Sequence, residues 1–453
     1  MPNKTYTGTL LRAMRVIVAC LLAIPTIASG QDASLAIVGG RLIDGYGGPP
    51  IHDSVILIDG NRISAVGTQQ ELDIPAGVAV IDADGHTVMP GLIDLHVHFD
   101  IIGHGDYDHW FANYESRMRS DVLPTAARIM LNAGVTSVRD LGTDIDNAFW
   151  LREQIASGAM PGPRTFIAGP FLRKSVTAFV SPDFVDTWVI ENPADGRRKV
   201  RRLAEMGVDV IKTQDEALSR DELAAIYDEA HSLGLRVATH LFSQKALRTA
   251  LEAGIGQWDT IEHIGEGAQP RYPDDIVNMI VEQQVAMAPT IIAEEGLRQI
   301  FLNPELVHDP RWGALMPKDI YQDIRGSYKD VQRHPLFGRA VLHRDTKMQK
   351  LRQLYQAGAA FIVASDSGSR ANPHHNATAR EMHFLVKEVG LSPMEAIMAA
   401  TRWAAVVLKK QNELGTISEG KLADIIVIDG DPLEYTGDLQ RVTHVVKDGV
   451  QIR

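Results

Sequence analysis

Two histidines separated by one residue, His96 and His98, are the first side chains in this sequence whose spacing suggests chemistry. They close the segment VMPGLIDLHVH, and a spacing of two turns both imidazoles to the same side of an extended strand. Three more candidates end later apolar segments, namely His240, His263 and Asp366. Because zinc accepts imidazole nitrogens and carboxylate oxygens as ligands, the pattern predicts a metal site with zinc as the expected ion.

Lys212 stands at the predicted end of another apolar segment, VDVIKTQ, where its positive charge would repel bound metal ions. An amine near cations or in an apolar site tends to lose its proton, and a neutral amine can react with carbon dioxide to give a carbamate. The hypothesis is that a carbamate on Lys212 bridges two divalent metal ions roughly 3.5–4 Å apart. The predicted ligands are His96, His98 and Asp366 for one ion, and His240 and His263 for the other.

Apolar segments alternate with amphipathic helical segments through the middle of the chain. The predicted strands are VMPGLIDLHVH, GVTSVRDLG, RTFIAGP, VDVIKTQ, RVATHLF, DTIEHIG, VAMAPTII and AFIVASDSG. This alternation predicts an α/β fold with a (β/α)8, TIM-like barrel, in which catalytic groups meet at the C-terminal ends of the strands. Each candidate ligand alone has an ordinary structural explanation, but together they end predicted strands in barrel order. A long polar connection at residues 293–350 is of a kind that often forms a lid.

Short β-branched segments broken by turn residues occur near both ends of the chain, in SVILIDGNRISAVG and again in GKLADIIVIDGDPL. Neither end is long enough for a stable sheet domain alone, so both ends are predicted to build one small composite β-sandwich domain. The predicted organisation is a signal peptide at 1–30, the N-terminal part of the β domain at 31–89, the barrel at 90–411 and the C-terminal part of the β domain at 412–453.

Residues 1–30 have the features of a secretory signal, with basic residues but no acid before the apolar segment VIVACLLAIPTIA. Cys20 is the only cysteine in the sequence, so cleavage leaves a chain without a thiol, which suits an oxidising compartment. The expected location is therefore the periplasm or the outside of the cell. A lipoprotein is the alternative, because IVAC resembles a lipobox, although Cys20 comes early in the apolar segment.

The charge balance limits the class of partner. Among 453 residues, 57 acidic side chains outnumber 45 basic ones, which argues against nucleic acid or an anionic membrane as the main partner. The predicted partner is a small-molecule substrate. No membrane span is expected in the mature chain, and the sequence allows a homo-oligomer.

Together these motifs resemble the amidohydrolase superfamily of metal-dependent hydrolases. VMPGLIDLHVH is similar to the first-strand signature of that family. GVTSVRD, IEHIG, ASDSG, GLSPMEAIMAAT and GTISEGKLADIIVIDGDPL resemble its imidazolonepropionase-like and prolidase-like branch. The resemblance covers almost the whole mature chain. It implies a binuclear ligand set that transfers to His96, His98, Lys212, His240, His263 and Asp366.

The expected chemistry is hydrolysis of an amide or peptide (C–N) bond, in a dipeptide or an N-acyl amino acid. A hydroxide shared by the two metal ions would attack the carbonyl carbon, and Asp366 would carry the proton to the departing amine. Asp94 is expected either to orient a metal ligand or to form a hydrogen bond inside the barrel.

Substrate contacts are expected from loops beyond the strands. Arg173 and Lys174, in FLRKS, are candidates for holding a substrate carboxylate, with two solvated loop charges as the alternative. The histidines interpreted as loop residues that could line the substrate cavity are His104, His109, His374 and His375.

Other functions remain open on the same residues. A single-metal deaminase or cyclic-amide hydrolase would leave Lys212 unmodified. An esterase, lactonase or phosphotriesterase would use the same site on a different bond. A non-catalytic relative would have lost several of the ligands, and none of them is missing from this sequence.

Overall fold

The computed structural model describes residues 33–174, 188–214, 216–334 and 336–453. The predicted signal peptide, including Cys20, lies outside the described residues. The strands are β1 Leu35–Val38, β2 Arg41–Leu42, β3 Ser54–Asp59, β4 Arg62–Thr68, β5 Ala79–Asp82, β6 Thr87–Pro90, β7 Leu92–Val97, β8 Val135–Asp140, β9 Arg164–Ile167, β10 Leu172–Arg173, β11 Val210–Gln214, β12 Arg236–His240, β13 Thr260–Glu262, β14 Ala286–Ala288, β15 Ala360–Phe361, β16 Ile425–Ile428, β17 Val442–Lys447 and β18 Val450–Gln451. The α-helices are α1 Tyr107–Tyr114, α2 Leu123–Asn132, α3 Ile145–Ala156, α4 Pro193–Met206, α5 Arg220–Ser232, α6 Gln244–Glu252, α7 Asp274–Glu282, α8 Ile291–Leu302, α9 Pro310–Gly313, α10 Lys318–Gly326, α11 Phe337–Leu342, α12 Arg344–Gln356, α13 Ala377–Phe384, α14 Pro393–Ala399 and α15 Arg402–Val407.

Two parallel sheets form the centre of the molecule. β7, β8 and β9 make a three-stranded sheet, and β10 to β15 make a six-stranded sheet in chain order. β7 and the residue after it also contact the segment after β15. Leu95 N donates to Val363 O at 3.1 Å, and His98 N donates to Ser367 O at 2.9 Å. Parallel strands joined by helices are the arrangement that the alternating sequence pattern predicted, so the α/β class is confirmed.

Each predicted central strand contains a strand of the structure, but VMPGLIDLHVH divides into two. Its first part, β6, pairs antiparallel with β16, whereas its second part, β7, belongs to the parallel sheet. The division occurs at Pro90 and Gly91. A Cβ at Gly91 would lie 2.2 Å from Thr136 Oγ1, so only glycine allows the chain to pass this close to β8. The two-residue strand β10 was not predicted.

The segment predicted as a long polar connection at 293–350 is mostly helical and spans α8 to α12. Its aromatic residues Trp312 and Tyr328 are buried. The Tyr328 hydroxyl contacts Gly103 O and Ala371 N, which ties the segment to the loops after β7 and after β15. None of the described helices combines the length and the apolar composition that a membrane span requires.

Two smaller sheets lie outside the parallel strands. One has the strand order β4-β3-β1-β5 and comes from the N-terminal part of the chain, and the other has the order β18-β17-β16-β6-β2. Strands from both ends of the chain therefore pair within one sheet. Apolar side chains of both sheets, among them Ile37, Ile56, Ile425 and Val427, belong to one hydrophobic cluster.

Candidate metal centre

β7 and the turn after β15 bring His96, His98 and Asp366 together. His96 lies within β7 and His98 directly follows it, while the intervening Val97 is buried. Asp366 Oδ1 is 3.6 Å from His96 Nε2 and 3.2 Å from His98 Nε2. One ligand atom from each of the three residues lies within 4.8 Å of the others, which is a spacing that a single metal ion can span.

His240 and His263 lie beside these three residues, at the ends of β12 and β13. Their ring centroids are 4.2 Å apart, and the ring of His263 is 5.0 Å from that of His96. His240 Nε2 is buried and has no hydrogen-bond partner among the residues that the structure describes. A buried ring nitrogen without a partner costs free energy, and a metal ion would satisfy it. The residues present therefore fit a metal, and the six predicted ligands face one cavity.

Lys212 lies in the middle of β11 rather than at its end, which differs from the prediction. The strand continues through Gln214, which pairs in register with His240 of β12. The side chain of Lys212 is fully buried, with Nζ 5.8 Å from the ring centroid of Phe171, and it lines the same cavity as the histidines. Burial of an ammonium at such a position carries a desolvation cost of several kcal/mol.

Three side chains behind the histidines were not predicted, namely Glu262, Arg139 and Thr290. Glu262 Oε2 accepts a hydrogen bond from His96 Nδ1 at 2.8 Å, and Glu262 Oε1 accepts one from Arg139 Nη2 at 2.7 Å. Thr290 Oγ1 lies 2.8 Å from His263 Nδ1. The available signal was a charged residue inside each of two buried strands, Glu262 in TIE and Arg139 in VTSVRD, because such charges need partners.

Asp94 connects β7 to the segment after β15 and to α13 rather than holding an imidazole. Its Oδ1 accepts hydrogen bonds from the backbone N–H groups of His96 at 3.1 Å and Ser365 at 3.0 Å. Its Oδ2 accepts from the hydroxyls of Ser365 at 2.5 Å and Thr378 at 2.7 Å. The structure thus shows a hydrogen-bonded carboxylate inside the parallel sheets, and Asp94 fixes the backbone of two ligand-bearing segments.

Left-handed backbone occurs at two of the candidate ligands. His263 has φ 59° and Asp366 has φ 55°, a region that costs about 1 kcal/mol or more for residues other than glycine. After Asp366 the chain passes so close to the loop after β7 that a Cβ on Gly368 would lie 2.3 Å from His98 O. This close packing holds the Asp366 turn against His98.

The neutral state of most of these rings favours metal binding. Burial is the largest cause that lowers the pKa of His96, His240 and His263 well below the ordinary value, so these imidazoles are neutral at pH 7. Neutral imidazole is the form that binds a metal. For His98, burial lowers the pKa, but the hydrogen bond to Asp366 and nearby carboxylate charges outweigh it, and the net pKa is raised.

A cavity of about 470 Å³ opens over the candidate centre. Its apolar wall includes Phe171, Phe242, Tyr107, Phe111, Trp188 and Leu297, and its cationic side chains outside the centre are Arg173, Arg339 and Arg370. Arg173 is 4 % exposed, whereas Lys174 pairs with Glu222 at 2.5 Å and does not line the cavity. His374 is also absent from the lining, because it is buried between Ser367 Oγ and Ile101 O.

The helical segment at 293–350 supplies part of this wall. Leu297, Leu336 and Arg339 belong to it and line the cavity. Arg339 lies with Cζ 3.8 Å from the ring centroid of Phe242, and its guanidinium pairs with Glu266 at 3.1 Å and Glu294 at 3.3 Å. The segment therefore covers one side of the cavity in this structure.

Comparison with known proteins identifies the family. The model of the amidohydrolase family matches residues 87–452, which is most of the chain. The chain belongs to the amidohydrolase family. The chain is therefore a hydrolase, as the sequence predicted. The resemblance drawn from its motifs is also confirmed.

The amidohydrolase is similar to characterised proteins over almost its whole length. Ochratoxinase of Aspergillus niger is 26% identical over 93% of this chain and 88% of the relative. Imidazolonepropionase of Haloarcula marismortui is 23% identical over 91% of this chain and 93% of the relative. The solved structure of a Xaa-Pro dipeptidase with bound methionine in the active site is 26% identical, with a TM-score of 0.73 over 92% of this chain and 99% of that one. These neighbours support a TIM-barrel-like α/β fold.

Proposed function

We propose that this amidohydrolase is a binuclear metal-dependent enzyme that cleaves the amide or peptide bond of a small substrate bearing a carboxylate. The substrate class is a dipeptide or an N-acyl amino acid with a bulky apolar side chain or acyl group. The observation that carries the proposal is the convergence of four imidazoles, a buried lysine and a carboxylate on one cavity whose other walls are largely apolar.

The metal ligands in this proposal are divided between two ions. His96, His98 and Asp366 would hold one ion and His240 and His263 the other, and Lys212, as a carbamate, would be a further ligand of both. Zinc is the expected metal, because the donors are nitrogens and carboxylate oxygens. Bound divalent ions supply Lewis-acid polarisation of a carbonyl and lower the pKa of water to about 7.

The protein's own side chains do the remaining work. Asp366, beside His98 and open to the cavity, accepts a proton from the attacking water and donates it to the departing amine. Arg173 binds the substrate carboxylate, since a buried guanidinium forms strong charge-assisted hydrogen bonds. Phe171 and Phe242 exclude water and pack on the apolar part of the substrate.

Two of the similar proteins support an amide bond as the target. Ochratoxinase and the Xaa-Pro dipeptidase each cover about nine-tenths of this chain, and the dipeptidase holds methionine, a free amino acid, in its active site. An amino acid combines a carboxylate with a side chain of variable polarity. That combination matches a cavity that has an apolar wall and a buried arginine.

The finer architecture and the location belong to the same proposal. β9 pairs with β8 and β10 pairs with β11, so β9 and β10 together take the place of one interrupted strand. The nine strands of the two parallel sheets then close into one eight-stranded barrel at 90–411, supported by the hydrogen bonds of Leu95 and His98 to the segment after β15. The two smaller sheets form a composite sandwich from 31–89 and 412–453, supported by their shared hydrophobic cluster. The leader at 1–30 directs the chain to the periplasm or out of the cell.

The test compares matched substrates on two neighbouring variants. Purified protein supplied with zinc and bicarbonate is assayed on N-acyl amino acids, dipeptides and the corresponding carboxamides. Replacing Arg173 with methionine keeps the apolar stem and removes the charge. Arg173→Met is expected to raise KM for the carboxylates about ten- to hundredfold and to leave KM for the carboxamides unchanged. Lys174→Met removes an adjacent charge that pairs with Glu222 instead, and serves as the control.

Two results would overturn the proposal. Equal KM changes for carboxylates and carboxamides would remove Arg173 from substrate recognition. Turnover of esters, lactones or phosphotriesters without any release of amine would keep the metal centre but replace the amide bond as the target. A His96→Ala variant, which lacks one candidate ligand, shows whether the measured turnover depends on the centre.

A further inference from the structure

A second cluster of metal-binding side chains lies outside the cavity, between the loop after β7 and the helical segment at 293–350. It consists of His104 from the loop, His109 from α1 and Asp323 from α10. Asp323 Oδ2 is 2.8 Å from His109 Nε2 and 3.7 Å from His104 Nε2, and the two rings are nearly parallel with centroids 5.2 Å apart. None of the three residues lines the cavity of the candidate metal centre.

His104 is oriented as a metal ligand would be. Its ring is 2 % exposed, and Nδ1 lies 2.7 Å from the backbone oxygen of Asp106. Nδ1 also lies 2.9 Å from the backbone N of Asp106, so either tautomer finds a partner at this nitrogen. The tautomer in which Nδ1–H donates to the oxygen leaves a lone pair on Nε2, which lies 3.7 Å from Asp323 Oδ2. A backbone carbonyl that holds the far ring nitrogen is the usual support of a metal-bound histidine.

Hydrogen bonds within the protein satisfy only part of this cluster. Asp323 Oδ2 accepts hydrogen bonds from His109 Nε2 at 2.8 Å and from the Tyr114 hydroxyl at 2.9 Å. The buried Nε2 of His104 has no hydrogen-bond partner within the described part of the chain. In that tautomer, a lone pair of His104 faces an anionic oxygen, and a cation between them would convert repulsion into two bonds.

The spacing fits a small ion. Ligand atoms about 2.0–2.1 Å from a tetrahedral zinc ion lie about 3.3 Å from each other. The two measured distances from Asp323 Oδ2, 2.8 and 3.7 Å, lie on either side of that value. Two imidazole nitrogens and one carboxylate oxygen are a donor set that suits zinc and is too rich in nitrogen for calcium or magnesium.

We propose that His104, His109 and Asp323 bind a zinc ion separate from the candidate metal centre, with water as the fourth ligand. The ion cross-links α1 to α10, across 214 positions of sequence. α1 also carries Tyr107 and Phe111, which line the cavity. Zinc bound here fixes a wall of the cavity without touching the reacting atoms, so its role is structural and independent of the proposed reaction.

The experiment measures zinc bound per chain by equilibrium dialysis, followed by metal analysis, on the full protein. At zinc concentrations that saturate the wild type, His109→Ala and Asp323→Asn are each expected to bind about one zinc ion fewer per chain. The affinity of the cluster for zinc is expected to fall about 100-fold or more in each variant. His52→Ala and Asp108→Asn, which change exposed residues of the same types, are the matched controls. Neither variant of the cluster removes a cavity-lining residue, and the His109 side chain is 44% exposed, so the fold tolerates its truncation.

A second measurement separates this site from the candidate metal centre. In a His96→Ala background the remaining zinc is expected to raise the thermal unfolding temperature, and adding His109→Ala is expected to abolish that rise. Unchanged zinc stoichiometry and affinity in both His109→Ala and Asp323→Asn would overturn the proposal. If His96→Ala loses catalytic turnover but keeps the zinc ion bound by His104, His109 and Asp323, the second site is supported. Failure of the proposed function and failure of the second site are therefore distinguishable.

Discussion

His96 lies between two carboxylates, with Nδ1 2.8 Å from Glu262 Oε2 and Nε2 3.6 Å from Asp366 Oδ1. The first contact fixes the proton on Nδ1, and the lone pair of Nε2 then faces the cavity. Arg139 Nη2 lies 2.7 Å from Glu262 Oε1, so the fully buried carboxyl group has a cationic partner. The orientation of His96 thus depends on two further buried side chains, Glu262 and Arg139.

Lys212→Ala tests the bridging role of the lysine. If a carbamate on Lys212 holds two ions, the variant is expected to lose about one of them and to lower kcat on the order of 1,000-fold or more. Metal analysis and steady-state kinetics with and without added bicarbonate measure both effects. The exposed Lys245→Ala is the control. One tightly bound ion per chain in both proteins, with kcat unaffected by the substitution, would contradict the binuclear model.

The types and spacing of residues predicted the convergence of the candidate ligands better than they predicted the substrate contacts. A period of two placed His96 and His98 on one side because that rule is local. The same rule separates Arg173 from Lys174, since adjacent residues of an extended chain point to opposite sides, yet both were proposed for the cavity. The contact of His96 with Glu262 spans 166 positions, and no local pattern could reveal it.

At the scale of elements, the N-terminus of α8 is capped by a side chain from another helix. Glu381 of α13 accepts hydrogen bonds from Ile291 N at 3.0 Å and Ile292 N at 2.8 Å. Burial nevertheless dominates and raises the pKa of Glu381 to about 7, from 4.5. The folded protein therefore holds this proton more tightly than the unfolded chain does.

Glu381→Gln is expected to change the pH dependence of stability. Between pH 4.5 and pH 7 the folded state binds more protons at this site, so the free energy of unfolding of the wild type falls as pH rises through that window. The glutamine amide cannot titrate. Between pH 4.5 and pH 7, the free energy of unfolding of the variant should therefore rise by on the order of 3 kcal/mol relative to that of the wild type. Urea unfolding at several pH values measures the difference. Parallel pH profiles would contradict the prediction, and the exposed Glu305→Gln should keep the wild-type slope.

The helices at 293–350 were the elements hardest to predict. Pro304, Pro310 and Pro317 each stand at the start of a short helix, because proline suits the first turn but interrupts a longer one. The resulting helices are too short to show a sustained apolar period. The central strands were easier to predict, since each lies in a short, β-branched and largely buried segment between helices that have a clear period.

At the scale of the whole molecule, Arg164 joins the parallel sheets to the smaller sheets. It begins β9, and its guanidinium pairs with Asp424 at 2.5 Å and with Asp448. The side chain of Asp424 is 5% exposed, and Arg164 is its cationic partner. The two parts of the molecule are thus coupled by a partly buried ion pair in addition to the apolar contacts.

Arg164→Ala is expected to lower the free energy of unfolding by about 3 kcal/mol, because it leaves Asp424 buried without its cation. Urea unfolding followed by circular dichroism and by tryptophan fluorescence measures the loss. Arg248→Ala removes an exposed pair with Asp275 and should cause little change. A loss no larger than that of Arg248→Ala would show that Arg164 does not couple the two parts.

The pairing of β6 with β16 also has a consequence for biosynthesis. β6 ends at Pro90 and β16 begins at Ile425, so almost all of the parallel-sheet region is made between the two partners. Until the last strands emerge, β6 presents an unpaired edge of backbone donors and acceptors, which invites pairing with other chains. The nascent chain thus carries an unpaired strand edge through nearly its whole synthesis. A chaperone that covers this edge would prevent aggregation for longer than one that covers any later strand.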